Sequence, residues 1–375
     1  MGKKSIDWVT LIPVLLLLCI GIIMVLSASS PTVVSGQNKD IYRLFKKQLG
    51  WGGVGLVLMM IFTNYHYRKL KKYVVAAAVV SLFSLVLVFG FEPRNGAQSW
   101  IIISGNQFQP SELVKICLVL ILAQMMSSKG RKMASVEEGL IPALLMIGTV
   151  CALVLMEPDL GTTMVIAITS FIMLFAGGAS IKHLSFLALV GIGAAAAAVA
   201  IAPYRMNRIF AFIDPFQDPG GIGFQITQSL YAIGSGGFMG VGLGGSMQKY
   251  YWVPEQHTDF IFSILSEELG FIGATFVIFL FILFAARGYR VAKNIKDDFG
   301  SLLACGLTSM ILVEAIINIA VVTSSMPVTG ITLPFISYGG SSLIFKMTAV
   351  GILLNISKYV DDDETFAVGK EVSGT

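Results

Sequence analysis

Apolar runs long enough to cross a membrane recur along almost the whole chain, and they limit the folds that it can adopt. A helix rises about 1.5 Å per residue and a hydrocarbon core is about 30 Å thick, so about 20 apolar residues cross it. Of the 375 residues, 55% are hydrophobic and 13% are charged, whereas a soluble domain carries about 25% charged residues. We therefore predict an all-α polytopic membrane protein without a separate soluble domain.

We predict ten transmembrane helices in a single integral membrane domain, residues 1–358, followed by a tail of residues 359–375. The spans are expected near residues 8–28, 48–63, 73–91, 111–127, 139–156, 160–176, 184–201, 259–286, 301–322 and 336–357. With a cytoplasmic N-terminus, 16 Lys and Arg residues lie on the inner side and 8 on the outer side. The positive-inside rule then predicts that both termini are cytoplasmic. The acidic tail is interpreted as a solvated end, with a docking role as the alternative.

The cysteines and the basic residues point away from two common functions. Cys19, Cys117, Cys151 and Cys305 fall in apolar spans and form no CxxC pair, so neither a disulfide nor a metal site is indicated. The net charge is +4, but the basic residues lie in short loops beside the spans rather than along one face. They are typical of topology signals, and we predict no nucleic-acid partner.

One outer connection, residues 202–258 between the seventh and eighth helices, is much longer than most of the others. Structureless loops of that length are usually functional, so we expect the chemistry of the protein there. Its glycine-rich part, residues 234–245, has no preceding strand and no P-loop lysine after it. We interpret that part as a mobile or re-entrant backbone segment.

The eighth span begins with a polar face. Pro254 suits the first turn of a helix, which would place Glu255, Asp259, Ser263 and Glu267 at successive i, i+4 positions. An ionised carboxylate in mid-bilayer costs at least about 2.5 to 3.5 kcal/mol, so this face must line a wet cavity or meet a cation. Asp259 could act there as a base toward a sugar hydroxyl. An aspartate favoured by the helix dipole is the alternative reading.

Several other polar residues carry two readings each. Arg205 and Arg208 follow the seventh span, where a guanidinium can grip phosphate oxygens or a lipid headgroup, and Lys249 and Arg94 share that ambiguity. His257 lies beside Asp259, either as a substrate contact or as a surface histidine.

Charged and aromatic residues in or near the spans are also open to two interpretations. Glu112 and Lys115 are spaced i, i+3 and are expected to form a structural pair, while Glu314 and Lys346 would pair likewise or line the cavity. Trp100 fits an aromatic belt. The uncharged stretch 327–342, which includes Ser337, has a proline-rich backbone that is tolerated at membrane depth only in protein contacts or at a cavity wall.

At these residues the chain resembles the SEDS family (shape, elongation, division and sporulation), which includes FtsW, RodA and SpoVE proteins, and it resembles the FtsW/SpoVE branch most. The resemblance extends over nearly the whole chain. The motifs that carry it are Arg-Asn-Gly…Ser-Trp at 94–100, Gln-Pro-Ser-Glu at 109–112, Pro-Asp-Leu-Gly-Thr at 158–162, Pro-Glu-Gln-His-Thr-Asp-Phe-Ile-Phe at 254–262, Glu-Glu-Leu-Gly-Phe-Ile-Gly at 267–273 and Pro-Val-Thr-Gly-Ile-Thr-Leu-Pro-Phe-Ile-Ser-Tyr-Gly-Gly-Ser-Ser at 327–342.

The resemblance implies a peptidoglycan glycosyltransferase of the bacterial cytoplasmic membrane. Such an enzyme polymerises lipid II at the outer face during cell division or sporulation and releases undecaprenyl diphosphate. Its expected partners are a class B penicillin-binding protein, which supplies the transpeptidase, and other divisome membrane proteins. A lipid II flippase and a non-enzymatic divisome scaffold are the alternatives. The sequence departs from the family pattern at Glu157, where Gln is usual, and at Gln98, where Arg is frequent.

The resemblance also implies roles for single residues. Asp259 takes the position of the catalytic aspartate, and Trp100 that of a functionally required tryptophan. The remaining substrate-binding candidates are Arg94, Arg205, Arg208, Lys249, Glu255, His257, Lys115 and Glu112, and the cavity-lining candidates are Ser263, Glu267, Ser337 and Lys346. Departure of a diphosphate needs charge stabilisation. A divalent cation, Mg or Mn, is therefore the one cofactor considered, with unknown ligands.

Overall fold

The structure is a computed structural model that describes residues 6–29, 42–92, 98–103, 106–250, 253 and 256–360. Its α-helices are α1 Trp8–Ser29, α2 Arg43–Asn64, α3 Val74–Leu87, α4 Pro110–Lys129, α5 Ile141–Met156, α6 Leu160–Ala176, α7 Ile181–Ile201, α8 Pro203–Ile213, α9 Phe224–Gly236, α10 Ile261–Asn294, α11 Asp298–Val322 and α12 Gly340–Ser357. Short 3-10 turns cover Tyr67–Tyr73, Val88–Gly90 and Gly130–Ala134, and a π-helical turn covers Val136–Leu140. Strands β1 Ile101–Ile103 and β2 Asn106–Phe108 form an antiparallel hairpin that sequence periodicity did not predict.

The predicted multi-pass membrane architecture is confirmed. Within the described ranges, eight helical stretches are long and apolar enough to cross a membrane. They are Trp8–Ser29, Tyr67–Gly90, Pro110–Lys129, Val136–Met156, Ile181–Ile201, Ile261–Asn294, Asp298–Val322 and Gly340–Ser357. Helix α6 is apolar but shorter, and α2 is not among the eight. The count of ten spans stays a prediction.

Helices α4, α11 and α12 form the centre of the bundle. In the most apolar stretch of α11, 78% of the residues are buried, against 6% in α7, which leaves nearly all of α7 facing outward. Helix α2 packs closely on α12: a Cβ on Gly351 would lie 2.5 Å from the Met59 carbonyl oxygen, a distance that only glycine permits. Because neighbouring helices surround α11, its apolar residues lie all round the helix, and its polar residues Glu314 and Asn318 have partners inside the bundle.

Helix α10 differs most from its prediction. It begins at Ile261 and ends at Asn294, and Gly270 has the non-helical angles φ 67 and ψ −168. The backbone groups released by this break bond to the glycine-rich segment. The four bonds are Val241 N to Glu267 O at 3.0 Å, Gly242 N to Glu268 O at 3.0 Å, Phe271 N to Gly237 O at 2.9 Å and Ile272 N to Phe238 O at 3.3 Å. The span predicted near 259–286 is therefore present as α10, but Gly270 breaks its helix, and the glycine-rich segment satisfies the freed backbone groups.

The long connection of residues 202–258 is more ordered than predicted. It contains α8 and α9, so it is not a structureless loop. Its glycine-rich segment approaches α10 closely, since a Cβ on Gly240 would lie 2.2 Å from the Glu268 carbonyl oxygen and Gly240 itself has φ +80. The predicted re-entrant reading fits this segment, because its backbone is bonded to a broken helix instead of to water.

The two ends of the bundle can be told apart by the connections that they carry. We call the end with residues 98–103, 106–108, 157–159, 202–250, 256–260 and 327–339 the loop end. The opposite end, with residues 65–73, 129–140, 294–298 and 358–360, is called the tail end. The structure places these groups together by contact, as in the hydrogen bonds from Asn355 and Lys358 to the Thr63 carbonyl oxygen at the tail end.

Candidate functional site

Asp259 lies at the loop end, in the turn of residues 256–260 that precedes α10. Asp259 is half-buried, and α10 begins only at Ile261. Of the predicted helical face, Ser263 and Glu267 therefore share the helix, whereas Asp259 does not. The prediction of one continuous face is wrong because the chain forms a turn where a helix was expected. Glu255, like Arg94, lies outside the described residues.

Three hydrogen-bond donors, which we call the clamps, hold the turn that carries Asp259. Asn318 Nδ2 on α11 donates to the Asp259 carbonyl oxygen at 2.7 Å and to the Ile331 carbonyl oxygen at 2.7 Å. Ser337 Oγ donates to the Thr258 carbonyl oxygen at 2.7 Å, and the Tyr338 N–H donates to the His257 carbonyl oxygen at 2.8 Å. The position of the Asp259 backbone is thus set by α11 and by the segment before α12.

These clamps reassign two of the candidates and add one. Ser337 is buried and holds the turn through its hydroxyl, so it acts on Asp259 indirectly. His257 is half-buried beside Asp259, with its ring 5.9 Å from the Tyr338 ring. Asn318 was missed by sequence reasoning. An amide in the middle of an apolar span was the available signal, since polar groups inside a membrane are expensive and usually have a function.

The Asp259 side chain lies over the extended segment that precedes α12. A Cβ on Gly330 would lie 3.6 Å from Asp259 Oδ2, and Gly330 has φ +80. On the other side of that segment, a Cβ on Gly161 would lie 2.7 Å from the Thr329 carbonyl oxygen. Residues 329–331 thus separate Asp259 from the first turn of α6.

Asp159 precedes the first turn of α6, on the far side of residues 329–331 from Asp259. Its Oδ1 accepts from the Thr162 N–H at 2.9 Å and so caps the N-terminus of α6, and burial raises the pKa of the Asp159 carboxyl. Its Oδ2 accepts from Gln109 Nε2 at 3.3 Å, and the Gln109 N–H lies 3.4 Å from Ser341 Oγ. Hydrogen-bonded and packed residues therefore run from Asp259 to the first turns of α4 and α12.

Below that point, four buried charged residues form what we call the charge cluster: Glu112, Lys115, Glu314 and Lys346. Lys115 Nζ lies 3.0 Å from Glu112 Oε1 and bonds to Glu314 Oε1. Lys346 Nζ lies 2.9 Å from Glu314 Oε2, 3.4 Å from Glu112 Oε2, and bonds to Ser342 Oγ. The predicted pair of Glu112 and Lys115 is confirmed. Of the two readings left open for Glu314 and Lys346, the structure shows pairing, and the two pairs form one network across α4, α11 and α12.

The charges of the cluster compensate one another. Each ammonium contacts both carboxylates, so two positive and two negative groups alternate inside the bundle. Such mutual contacts are what allow ions to stay charged away from water. As described, Glu112, Lys115 and Lys346 are engaged with one another and stabilise the helices below the Asp259 site.

A second buried pair explains Lys249. Its Nζ lies 3.0 Å from Glu268 Oε1, 3.1 Å from Ser27 Oγ and 2.7 Å from the Gly244 carbonyl oxygen, and the residue is 1% exposed. The predicted diphosphate contact is therefore not made by this conformation of Lys249. The ammonium instead ties α1 to α10 and to the glycine-rich segment.

Ser263 and Glu267 also differ from their predicted cavity-lining roles. Ser263 is fully buried, with its Oγ 2.6 Å from Ser229 Oγ on α9. The Glu267 carboxylate accepts from Ser246 Oγ and from the Met247 N–H at 3.0 Å. Both side chains lie in packed contacts, because α9 and the chain after the glycine-rich segment cover this side of α10.

Arg205 and Arg208 both lie on α8 near the site. Their guanidinium carbons lie 5.3 Å and 5.8 Å from the centre of the Tyr204 ring, so both cations contact the same aromatic side chain. Arg208 Nη1 donates to the Val328 carbonyl oxygen at 3.1 Å, and Arg205 Nη1 donates to the Ala198 carbonyl oxygen at 2.8 Å. Arg208 therefore touches the same segment that carries Gly330 under Asp259.

Trp100 is half-exposed and immediately precedes β1. The residues before it are tied to the turn between α5 and α6: the Gln98 N–H and Ser99 Oγ both donate to the Glu157 carbonyl oxygen, each at 3.3 Å. Gln98 Nε2 donates to the Phe89 and Phe91 carbonyl oxygens. The side chain of Gln98 thus orders its own loop, and Trp100 is positioned at the loop end by Glu157.

Metal binding has no ligand set in the part of the chain that the structure describes. No group of three or more His, Cys, Asp or Glu side chains lies close enough there to hold an ion. A divalent cation, Mg or Mn, with unknown ligands stays a prediction.

The arrangement can support transfer chemistry at a membrane surface. It presents a half-buried carboxylate on a fixed turn and the Arg208 guanidinium on the segment under that carboxylate. Arg205 lies on the same helix as Arg208, and a buried charge network connects the helices below. A carboxylate is suited to accept a proton, and guanidinium groups are suited to hold a diphosphate.

Comparison with known proteins agrees with this geometry. Residues 7–362 match the FtsW/RodA/SpoVE family, described as cell cycle proteins. The chain is 45% identical to stage V sporulation protein E of Bacillus subtilis (strain 168) over 361 residues, which cover 95% of this chain and 98% of that protein. It is 40% identical to a probable peptidoglycan glycosyltransferase FtsW of Geobacter sp. (strain M18), over 94% of this chain and 97% of that protein.

Two solved structures share the fold. A chain of a peptidoglycan synthase complex, determined to show how polymerisation and crosslinking are coordinated, aligns with a TM-score of 0.78 and 31% identity, over 95% of this chain and 99% of that chain. The rod shape determining protein RodA of Thermus thermophilus aligns with a TM-score of 0.71 and 30% identity, over 96% and 99% of the two chains.

Proposed function

The chain belongs to the FtsW/RodA/SpoVE family of cell cycle proteins and is a peptidoglycan glycosyltransferase, and we propose that it polymerises lipid II with Asp259 as the catalytic base. The observation that supports this assignment most directly is the fixed position of the Asp259 turn, whose carbonyl oxygen is held by Asn318 at 2.7 Å. A base must be positioned within hydrogen-bond reach of the proton that it accepts. The clamps on residues 257–259 provide that positioning without using the Asp259 carboxylate itself.

The proposed reaction is an inverting displacement at a sugar carbon. The Asp259 carboxylate accepts the proton of the 4-hydroxyl of the acceptor's N-acetylglucosamine. The hydroxyl oxygen then forms a bond to the anomeric carbon of the growing chain, and the bond from that carbon to the lipid diphosphate breaks. Undecaprenyl diphosphate leaves with the bonding electron pair, and Asp259 returns the proton to water after the transfer.

Charge that develops on the leaving diphosphate needs nearby cations. Arg208 and Arg205 are the best placed of the candidates, since Arg208 touches Val328, two residues from Gly330. Their guanidinium groups can bind phosphate oxygens bidentately. Lys249 is less suited to this role because its ammonium is buried against Glu268.

The proposed location follows from the lipid substrate. Lipid II polymerisation at the outer face of the cytoplasmic membrane requires the loop end to face outward, so the tail end and both termini would be cytoplasmic. The proposed partner is a class B penicillin-binding protein, in keeping with the structural likeness to a chain of a synthase complex that both polymerises and crosslinks peptidoglycan. Other divisome membrane proteins are proposed as further partners.

Replacement of the carboxylate tests the base role. We expect purified Asp259→Asn, supplied with lipid II and its penicillin-binding partner in detergent, to lose at least about a hundredfold in polymerisation rate, since general bases contribute about that much or more. Its melting temperature should stay near that of the wild type, because the clamp uses the backbone oxygen of residue 259.

Asp214→Asn is the matched control, because Asp214 is an exposed aspartate of the same connection that accepts a local bond from the Phe216 N–H. It should polymerise at the wild-type rate. Full activity of Asp259→Asn would refute the base assignment. Polymer made by the wild type in detergent would also separate this function from lipid flipping, which needs two sealed compartments, and from a scaffold, which makes no product.

A further inference from the structure

At the tail end, the last described residues are held against the turn Tyr67–Tyr73. The Tyr359 ring lies 4.5 Å from the His66 ring and 5.7 Å from the Tyr67 ring. The Tyr67 ring in turn stacks on the Phe299 ring at 6.3 Å. The chain therefore leaves the described part at Val360 beside this aromatic group, whatever the orientation of the protein in the membrane.

The surface next to that exit is rich in basic residues. Arg68, Lys69 and Lys72 are exposed, and Lys71 Nζ lies 4.7 Å from the centre of the Phe299 ring. Lys296, two residues before α11, lines the same cavity as Lys71. We call these five residues the basic surface. Two acidic residues, Asp297 and Asp298, neighbour the basic surface. Asp297 caps α11 and lies 3.6 Å from Arg68.

The basic surface borders an open cavity of about 380 Å³. Its wall carries two lysines, Lys71 and Lys296, two aspartates, Asp297 and Asp298, and polar residues from the end of α4. The charges of the wall therefore balance. The excess of positive charge lies outside the cavity, on Arg68, Lys69 and Lys72 of the basic surface.

The chain itself supplies a complementary segment immediately after Val360. The next four residues are Asp361, Asp362, Asp363 and Glu364. An extended chain advances about 3.3 to 3.6 Å per residue, so these four can span about 13 Å from the Tyr359 anchor. Three contacts lead from Tyr359 to Lys71: the Tyr359 and Tyr67 rings, the Tyr67 and Phe299 rings, and the Phe299 ring and Lys71 Nζ. Each spans at most 6.3 Å, so the reach of the four residues is comparable to the path from Tyr359 to Lys71.

We propose that residues 361–364 dock on the basic surface, beside the cavity that it borders. A segment tethered one residue away acts at an effective concentration of about millimolar or higher, so weak contacts suffice. The contacts are ion pairs at the surface, and added salt screens them. Because anionic lipid headgroups favour the same kind of basic residues, the docked tail keeps such lipids, or an acidic segment of another protein, away from this surface until it is displaced.

Zero-length crosslinking tests the docking directly. The full chain, one copy per nanodisc in phosphatidylcholine, is treated with a carbodiimide, and carboxylate-to-lysine links are identified by peptide mass spectrometry. At low ionic strength we expect links from residues 361–364 to Lys69, Lys71, Lys72 or Lys296, with severalfold fewer links when the salt concentration is raised about tenfold. Lys132, an exposed lysine of the same end, is the internal comparison.

The acetylation rates of single lysines provide a second test, which does not depend on a crosslink. The variant Asp361→Asn/Asp362→Asn/Asp363→Asn/Glu364→Gln should expose Lys71 and Lys72 and raise their acetylation rates severalfold. Glu371→Gln, a matched change further along the same tail, should leave those rates at the wild-type values. Links to the basic surface no more frequent than those to Lys132, or equal acetylation rates in the wild type and the fourfold variant, would overturn the proposal.

Discussion

Buried charge is handled in opposite ways at two places in the molecule. In the charge cluster, two ammonium groups and two carboxylates contact one another across α4, α11 and α12. In the turn between α5 and α6, Glu157 is also fully buried, but neither of its carboxylate oxygens has a hydrogen-bond partner in the described ranges. The groups of the charge cluster stay charged because each has a partner of opposite charge. The Glu157 carboxyl has no such partner among the residues that the structure describes, and it becomes neutral by binding a proton.

The pKa of Glu157 follows from this environment. Burial, and secondly the neighbouring Asp159, raise the pKa of the Glu157 carboxyl to about 8. The carboxyl is therefore largely neutral near pH 7, and its backbone oxygen still holds Gln98 and Ser99 ahead of Trp100. A buried carboxylate that has neither a cation nor a hydrogen-bond donor in contact is costly when it is charged, so removal of charge should have opposite effects at the two places.

The largest effect is expected from Lys115→Met. This change leaves Glu112 and Glu314 with Lys346 as their only ammonium in the cluster, and an uncompensated buried charge destabilises a protein by about 3 to 5 kcal/mol. The free energy of unfolding in detergent, measured by denaturant titration, should fall by about that amount. The double variant Lys115→Met/Glu314→Gln should recover part of the loss, because it again matches one ammonium with one carboxylate. Equal stabilities of Lys115→Met and the wild type would show that the cluster is not compensated as described.

A smaller loss is expected from Lys249→Met. Its partner Glu268 keeps a hydrogen bond from Ser27 Oγ at 2.6 Å, so we expect a destabilisation of about 2 to 3 kcal/mol. The same experiment separates the structural role from the predicted diphosphate contact. A structural role lowers the melting temperature, and Lys249→Met/Glu268→Gln should then regain stability. A loss of polymerisation with unchanged melting would instead favour contact with the substrate.

The smallest effect, and one of opposite sign, is expected from Glu157→Gln. The folded-state pKa of about 8 lies above 4.5, the ordinary value of a glutamate carboxyl, so the folded protein binds more protons between these pH values. Stability therefore falls as the pH rises from about 4.5 to 8. Glutamine carries no charge and removes this dependence, and we expect it to raise the free energy of unfolding by about 1 to 2 kcal/mol at pH 7.5 and little at pH 5.

Unfolding measured from pH 5 to pH 8.5 checks this prediction. Glu137→Gln, at an exposed glutamate of the tail end, is the control and should leave the pH dependence of stability as in the wild type. A destabilised Glu157→Gln at pH 7.5 would mean that Glu157 is charged and paired, which would remove the contrast with the charge cluster.

Sequence reasoning located most helices well and the starting point of one poorly. The span predicted at 160–176 is α6, Leu160–Ala176, because a membrane-spanning helix is specified by its own hydrophobicity. The start of α10 was placed in the wrong conformation, because Pro254 suggested a helix while the clamps from Asn318 and Ser337 hold residues 256–260 as a turn. Those clamps come from residues about 60 to 80 positions away, which no local pattern shows.

The candidate site shows the same division. Asp259 was chosen from a local motif and from the cost of a carboxylate near the membrane, and Glu112 and Lys115 were paired from their i, i+3 spacing. Lys249 looked equally accessible in sequence, but folding buries it against Glu268. Asn318 was overlooked because its function depends on which carbonyl groups it meets.

By itself, the sequence determined that this chain spans a membrane many times, which family it belongs to, and which carboxylate to examine. Hydrophobic length and local motifs carry that information because lipid obliges each segment to satisfy its own backbone. Only the tertiary structure decided which charges meet, which carboxyl is left without a partner, and where α10 breaks. Those outcomes depend on contacts between segments far apart in the chain, whose energies are set by distance and burial and not by neighbouring residues.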